Sequence, residues 1–185
     1  IFMKTYISIL RGINVGKKQV LMADLKKLYE SLKFSDIASY IQSGNVIFKA
    51  ATKLSDVALA QKIEELIFKK YGFEVPVIIR SADELATVIK TNPFMENKKI
   101  NPEKLHVTFL SDVPEKTNAE SIKDLDFPPD QFVIKGKEVF IHCPESYGET
   151  KLSNKFFENK LKVPATTRNW NTVNKLLEIA QANNK

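Results

Sequence analysis

Val75-Pro76-Val77-Ile78-Ile79-Arg80 decides the fold, because the chain repeats this segment 88 residues later as Val163-Pro164-Ala165-Thr166-Thr167-Arg168. Apolar residues after the two copies match at the same offset of 88. Leu85, Val88 and Ile89 follow the first copy, and they correspond to Val173, Leu176 and Leu177 after the second. A further match lies upstream, where Lys4–Leu10 resembles Lys104–Leu110. Six-residue matches also arise by chance, so the order of elements around them decides whether the chain is duplicated.

That order is the same in both halves. Each half shows the residue patterns of a strand, a helix, two strands, a helix, a strand and an extra helix. A β-α-β-β-α-β unit is ferredoxin-like, with an antiparallel sheet and two helices on one face. We therefore predict an α+β fold of two tandem ferredoxin-like subdomains, each with an extra helix and a mainly antiparallel sheet. The predicted limits are 1–93 and 104–185, joined by a linker at 94–103 that follows Asn92-Pro93 and contains lysines and Asn101-Pro102.

Residues with capping chemistry predict where the helices begin and end. Short hydroxyl and amide side chains accept hydrogen bonds from the first free N–H groups of a helix. The predicted caps are Ser55, Ser81 with Glu84, Thr117 with Glu120, Ser153 and Asn169. Gly72 is predicted to end the second helix and Gly136 to turn a hairpin, because glycine adopts positive φ without strain.

The composition is that of a globular protein, with 43% hydrophobic and 27% charged residues. A formal net charge of +6 favours anionic partners in general, but the lysines are scattered in pairs and make no nucleic-acid-binding patch. No apolar run approaches the roughly 18 to 20 residues that cross a bilayer, and the first residues lack the pattern of a signal peptide. One cysteine excludes an internal disulfide. We therefore expect a cytoplasmic protein that does not enter the membrane.

The loop after the first strand, Leu10–Lys17, is the first candidate site. Gly12 and Gly16 bracket it, and glycines let backbone N–H groups approach an anion. Its spacing matches neither the P-loop nor the dinucleotide-binding motif. Two interpretations stay open: a turn built on two permissive residues, or a loop that holds an anionic or polar ligand through Arg11 and Asn14. Arg11 is one of only three arginines, which favours a position where a planar guanidinium is needed.

A second group of polar side chains lies between the next two strands. Gln42, Ser43 and Asn45 carry amide and hydroxyl groups within four residues. Such groups contact the polar edges of a ligand, or they satisfy the backbone of their own loop. The sequence leaves both interpretations open.

A third group lies in the second half of the chain. Lys151 precedes a predicted helix and Asn154 begins it, so that the free N–H groups of the first turn and the ammonium suit an anion. The alternative is an ordinary solvated loop and cap. Thr167, Arg168 and Asn169 end the last predicted strand, and Arg168 lies at the same strand-to-helix corner as its counterpart in the first repeat.

Other kinds of chemistry have little support. Cys143 adjoins His142, but neighbouring strand residues face opposite sides and make no Cys–His pair. His106, His142 and Cys143 lack the spacing of metal ligands, so we predict no metal and no cofactor. No pair of carboxylates stands out as acid and base, which leaves enzymatic activity undecided. An RNA-binding sheet needs exposed aromatics, and Lys137 and Glu138 stand where these would stack on bases.

Seven short motifs carry a resemblance to a known family. They are Leu10–Gly16, Met22–Leu25, Tyr40–Phe48, Asn92–Phe94, His106–Phe109, Lys151–Asn154 and Val163–Trp170. In this order and over nearly the whole chain, they resemble the bacterial family called domain of unknown function 1697. The resemblance implies an α+β fold of ferredoxin-like character and no established activity, cofactor or catalytic residue. This chain has Lys17 where members often have a second glycine, and it departs from them at Cys143.

The leading hypothesis is a cytoplasmic protein that binds a small polar or anionic ligand in a cleft between the subdomains. Amide, hydroxyl and guanidinium groups at the strand ends of an otherwise apolar core motivate it. The alternatives are a nucleic-acid-binding module, motivated by the basic charge and the sheet type, or an enzyme of unassigned reaction.

Overall fold

The computed structural model describes residues 2–41 and 44–183, and within them the chain forms eight β-strands and six α-helices in an α+β fold. The chain divides into two compact units, one of Ile1–Ala86 with Lys175–Lys185 and the other of Thr87–Asn174. Between Pro93 and Lys104 there are two short 3-10 helices, Pro93–Glu96 and Pro102–Lys104. The predicted subdomain limits and the linker at 94–103 stay a prediction.

The first repeat has the ferredoxin-like order of elements. They are β1 (Lys4–Leu10), α1 (Met22–Ser31), β2 (Ser35–Tyr40), β3 (Asn45–Ala50), α2 (Asp56–Tyr71), β4 (Val77–Ser81) and the additional helix α3 (Ala82–Lys90). The strand order in the sheet is β2-β3-β1-β4, and every neighbouring pair is antiparallel. The core on one side of this sheet includes Tyr29, whose hydroxyl bonds the Ser8 hydroxyl at 2.6 Å.

The second repeat has the same order. Its elements are β5 (Leu105–Leu110), α4 (Lys116–Ile122), β6 (Gln131–Lys135), β7 (Glu138–His142), α5 (Asn154–Leu161), β8 (Ala165–Asn169) and α6 (Trp170–Ala182). The sheet is antiparallel with the order β6-β7-β5-β8, the counterpart of the first sheet strand by strand. The fold prediction, two tandem ferredoxin-like subdomains with mainly antiparallel sheets, is confirmed.

One buried connection occurs in both repeats. In the first, a carboxylate oxygen of Glu64 on α2 accepts a hydrogen bond from the backbone N–H of Val77, at the start of β4, at 2.7 Å. In the second, Glu158 on α5 accepts from the backbone N–H of Ala165, at the start of β8, at 3.0 Å. Partial burial raises the pKa of Glu64, so the hydrogen bond compensates a desolvated carboxylate. A shared contact of this kind supports duplication independently of the sequence match.

The repeated arginines also adopt the same arrangement. Nη1 of Arg80 donates to the carbonyl oxygen of Ile79 at 2.8 Å, and Nη1 of Arg168 donates to the carbonyl oxygen of Thr167 at 3.0 Å. Arg80 is fully buried, whereas Arg168 is partly exposed. Burial lowers the pKa of Arg168 to about 10, and the guanidinium is still charged at neutral pH. Both guanidinium groups therefore bond a carbonyl of their own strand, next to the corner where the strand meets its helix.

Most of the predicted helix ends are confirmed. Ser55, Ser153 and Asn169 accept bonds from N–H groups of the first helical turn, and Ser81 and Glu84 form a reciprocal capping box. The prediction for Thr117 is wrong. The cap position of helix α4 is Glu115, two residues earlier, without a side-chain cap, and the Glu120 carboxylate lies 3.8 Å from Lys116 Nζ instead.

Aromatic rings pack within and against the core beneath the second sheet. Four of them form a connected set of edge-to-face and tilted pairs with centroid separations of 5.1 to 6.3 Å, and we call this set the phenylalanine cluster: Phe127, Phe132, Phe156 and Phe157. Within the part of the chain that is described, no helix combines the length and the apolar character needed to cross a membrane.

Candidate ligand site

The loop after β1 uses its polar groups on itself. Asn14 has φ +55°; its backbone N–H donates to the carbonyl oxygen of Lys18 at 2.7 Å, and its side-chain oxygen accepts from the N–H of Val20 at 2.9 Å. The backbone N–H of Arg11, a half-buried residue, donates to the carbonyl oxygen of Pro76 at 3.0 Å. The Asn14 side-chain oxygen thus bonds the backbone near its own loop. This arrangement favours the interpretation of the loop as a turn.

Asn45 is the member of the second predicted group that the structure describes. Gln42 and Ser43 lie outside the described residues. Asn45 is fully buried, and its side-chain nitrogen donates to the carbonyl oxygen of Tyr40 at 3.0 Å, which closes the connection between β2 and β3. This contact is the self-satisfying arrangement that the sequence left open.

Two members of the third predicted group, Asn154 and Thr167, meet in the second unit. The Thr167 hydroxyl on β8 donates to the side-chain oxygen of Asn154 on α5 at 2.6 Å, and it lies 2.7 Å from the Thr108 hydroxyl on β5. Since Thr167 has one hydrogen and gives it to Asn154, Thr108 is the donor in the second bond. The Tyr147 hydroxyl also bonds Thr167. We call Thr108, Tyr147, Asn154 and Thr167 the threonine network.

The network holds the 3-10 helix Tyr147–Glu149 against the sheet. The Tyr147 ring stacks on the His106 ring with centroids 4.3 Å apart and planes 19° from parallel. Burial lowers the pKa of His106 and raises the pKa of Tyr147, so both rings are neutral at pH 7. Two neutral rings stack without the cost of burying a charge, and they fix the position of the residues that flank Tyr147.

A second polar contact lies beside the network. The Thr150 hydroxyl donates to the Asp130 carboxylate at 2.5 Å and accepts from the N–H of Leu152 at 3.2 Å. Cys143 is buried, and burial raises the pKa of its thiol to about 11. A thiol with that pKa is protonated at neutral pH, so Cys143 is a packing residue and not a nucleophile.

These contacts position one wall of a pocket of about 340 Å³. We call it the acidic pocket; it is lined by Asp126, Phe127, Pro128, Pro129, Asp130, Glu145, Ser146, Glu149 and Lys151. Ser146 and Glu149 flank the anchored Tyr147, and Asp130 is held by Thr150. The lining holds four carboxylates and one ammonium, and a second ammonium, Lys104 Nζ, donates to the Glu145 carbonyl oxygen at 2.9 Å, so the pocket is acidic on balance although the chain as a whole is basic.

The structure thus separates the predicted site residues into groups. Arg11, Asn14 and Asn45 belong to the first unit, where the side-chain atoms described above for Asn14 and Asn45 bond backbone groups near them in the chain, and the Arg11 backbone N–H bonds Pro76 next to β4. Asn154 and Thr167 meet in the threonine network, and exposed Lys151 lines the acidic pocket. The last two predicted residues end β8: Arg168 bonds the preceding carbonyl, and Asn169 caps α6 by accepting from the N–H of Thr172 at 2.8 Å.

A family model described as "Protein of unknown function (DUF1697)" matches residues 3–140. The chain belongs to this family. The structure is similar to that of the conserved bacterial protein SP0830 from Streptococcus pneumoniae, with a TM-score of 0.69 and 23% sequence identity over 97% of this chain and 99% of the other. At that identity the likeness is one of fold. No curated protein matches the chain.

In this DUF1697 chain, sequence reasoning missed Thr108, Asp130 and Thr150. Polar residues within a strand or after a proline pair look like solvated positions. Their partners become visible in the folded chain, where the strand register places Thr108 opposite Thr167 and the Thr150 hydroxyl contacts the Asp130 carboxylate. Among the described residues no group of three His, Cys, Asp or Glu side chains is placed to hold a metal ion.

Replacing Thr167 by valine is expected to lower the free energy of unfolding by about 1–2 kcal/mol. Valine keeps the shape but leaves the hydroxyls of Thr108 and Tyr147 and the side-chain oxygen of Asn154 without their shared partner, and the site is open enough for water to replace part of the loss. Thr167→Ser keeps the hydroxyl and is the control. Urea unfolding measures both variants, and equal stabilities for the two would contradict the network.

Proposed function

We propose that this chain binds a small polar ligand with a positively charged group, and that the acidic pocket of the second unit is the binding site. The observation that carries the proposal is the lining of Asp126, Asp130, Glu145 and Glu149 around a pocket of about 340 Å³. A small pocket that concentrates charge of one sign raises the local concentration of ligands of the opposite sign.

The acidic lining favours a ligand with a positive charge over one with a negative charge. Lys151 alone would suit an anion, but four carboxylates in the same lining oppose one. An organic cation that also carries hydrogen-bonding groups would pair its charge with carboxylates and use Ser146 and Lys151 for its polar part. For this pocket we therefore propose the cationic class in place of the anionic one. The exposed phenylalanines Phe2 and Phe68 lie outside both sheets, so they do not provide a stacking surface for the nucleic-acid alternative.

The test compares putrescine with inorganic phosphate by thermal unfolding. A ligand at ten times its dissociation constant stabilises by about 1.4 kcal/mol, which corresponds to a rise of about 3–6 °C in melting temperature for a chain of this size. We expect putrescine to give such a rise and phosphate to give none. A larger rise with phosphate, or no rise with either, would refute the cationic assignment.

A matched pair of variants locates the binding. Glu149→Gln removes one pocket charge and is expected to weaken putrescine binding about two- to fivefold, the range for one partly solvated ion pair. Glu120→Gln on α4 removes the same charge outside the acidic pocket and should leave binding unchanged. Isothermal titration measures both. Equal effects of the two substitutions would mean that binding depends on net charge and not on this pocket.

A further inference from the structure

One wall of the acidic pocket is attached to the sheet through side chains, and we call its residues 145–149 the wall segment. Lys104, which precedes β5, donates from Nζ to the carbonyl oxygen of Glu145 at 2.9 Å. The Tyr147 ring stacks on the His106 ring of β5 with centroids 4.3 Å apart, and its hydroxyl joins the threonine network. Two of these contacts depend on the position of the Tyr147 ring, so the stack on His106 helps to hold the whole segment.

The stacked His106 ring is poorly placed to carry a proton. Its Nδ1 atom is buried and has no hydrogen-bond partner. Burial lowers the pKa of His106, and the Lys104 backbone carbonyl, which favours the charged form, does not reverse this. An imidazolium would be attracted to the face of Tyr147, but a buried charge without a hydrogen bond costs more than a stacked pair returns. The ring is therefore neutral while it is stacked.

Among the described residues, no carboxylate compensates a charge on His106. Burial and the Lys104 backbone carbonyl are the causes that shift its pKa. The ionisable side chains on the elements around the ring are Lys104 beside β5, Glu138, His142 and Cys143 on or beside β7, Arg168 on β8, Lys155, Glu158 and Lys160 on α5, and Asp130, Glu145, Tyr147, Glu149 and Lys151 around the pocket. Glu138, His142 and Arg168 lie opposite residues that alternate with the histidine along β5, so they face the other side of the sheet.

We propose that His106 is a pH-sensitive switch for the acidic pocket: the neutral ring holds the wall segment against the sheet, and a proton on the ring releases it. Once the segment has left the sheet, water solvates the ring and its pKa returns towards the ordinary value of about 6.5. The released form then takes up a proton that the stacked form does not, so acid favours release. That release also frees a ligand is a consequence that rests on the proposed function of the pocket.

The direction of the pKa shift sets the sign of the effect. The pKa of His106 is lowered in the stacked form, so the stack is strongest above pH 6.5 and weakens as the pH falls below that value. If the stacked ring stays neutral, the population of the released form rises about tenfold between about pH 7.5 and 5.5, which is the upper limit. The chain has two histidines, the residue type whose ordinary pKa lies in this interval, so single substitutions can assign the effect.

Amide hydrogen exchange followed by NMR measures the release without any ligand. The backbone N–H groups of Glu149 and Thr150 donate to carbonyl oxygens of the wall segment at 3.3 Å each. A single 3-10 turn is not stable on its own, so release exposes both groups to exchange. After correction for the intrinsic rate, their protection in the wild-type chain should fall between about twofold and tenfold from pH 7.5 to 5.5. A smaller fall overturns the proposal.

His106→Phe keeps a ring for the stack and cannot take up a proton, so its protection should change less than about twofold over the same interval. The matched control is His142→Phe. His142 also has a lowered pKa, but it faces the other side of the sheet, where its ring lies 5.8 Å from that of Phe94. The control should keep the wild-type fall. A fall that persists in His106→Phe, or that disappears in His142→Phe, overturns the proposal.

Two measurements cover the case of a variant that does not fold, which circular dichroism reveals. The wild-type fall needs no substitution, and NMR titration of the wild-type His106 ring should give a pKa below 6.5. A value at or above 6.5 overturns the proposal.

Putrescine separates this inference from the proposed function. Saturating putrescine should restore the protection of the wild-type wall segment at about pH 5.5, because a ligand that needs the wall favours the stacked form. A fall in protection in a chain that does not bind putrescine overturns the proposed function and keeps the switch. Putrescine binding in a chain whose protection does not fall overturns the switch alone. Putrescine that binds without restoring the protection overturns the control of the pocket by His106.

Discussion

The Gly44→Ala variant should lose about 2–4 kcal/mol of unfolding free energy, one of the two largest effects that we expect for a single substitution in this chain. Gly44 is buried and has φ +88°, where a side chain is strained. A Cβ built at Gly44 would lie 2.7 Å from Cδ1 of Ile13 and 2.8 Å from Cβ of Leu10. Leu10 cannot yield by a rotamer change, because the nearest atom is its Cβ and its backbone N–H already bonds the Gly44 carbonyl oxygen at 2.8 Å.

The matched control is Gly12→Ala. Gly12 has a similar φ of +76°, but a Cβ there would meet no atom within 4 Å. The control therefore isolates the backbone strain, about 1–2 kcal/mol, from the steric overlap that only Gly44 adds. Urea unfolding followed by circular dichroism gives both values. Losses that agree within about 0.5 kcal/mol would show that the close approach of Gly44 to Leu10 and Ile13 does not exist.

The architecture could be predicted because its signals are local. Apolar periodicity locates the strands, and the Ser81–Glu84 box and Gly72 mark helix ends through bonds that join residues at most four apart. The exception is α4, where Thr117 and Glu120 have the spacing of a capping box, but the Glu120 carboxylate lies near Lys116 within a helix that has already begun. A short helix offers too few residues for its pattern to locate its first turn.

The candidate site could not be predicted in the same way. Thr108 and Thr167 are 59 residues apart, and Asp130 and Thr150 are 20 apart, so no local pattern connects them. Asn14 illustrates a second obstacle. Its side-chain amide can bond a ligand as well as a backbone N–H. That the amide oxygen accepts from the N–H of Val20 depends on how the loop closes. Asn154 and Thr167, two predicted residues that the structure describes, share a hydrogen bond, and the ligand contact predicted for them stays a prediction.

Comparison of the two repeats distinguishes contacts that both of them have from features that only one of them has. The bonds from Glu64 to Val77 and from Glu158 to Ala165 occupy the same place in both units and belong to the fold. The acidic pocket belongs to the second unit. Features shared by two copies of a fold are those that it needs to form, and differences between them are where function can diverge.

Phe157→Ala is the other large effect, with an expected loss of about 3–5 kcal/mol. Phe157 is fully buried and packs edge-on against Phe132 at 5.7 Å and Phe156 at 5.1 Å. Truncation removes a whole ring from a closed core and leaves a cavity that neighbouring rings cannot fill. Phe156→Ala is the control, because Phe156 is only partly buried and should cost about half as much. Urea unfolding measures both, and equal losses would contradict the packing.

The phenylalanine cluster also supports the acidic pocket. Phe127 lines the pocket and packs on Phe156, which packs on Phe157. Phe157→Ala should therefore weaken putrescine binding under conditions where the chain is still folded. Gly44→Ala, which acts within the first unit, should leave putrescine binding unchanged. If the Phe157 variant loses stability but binds putrescine at wild-type strength, the cluster supports the fold without positioning the pocket.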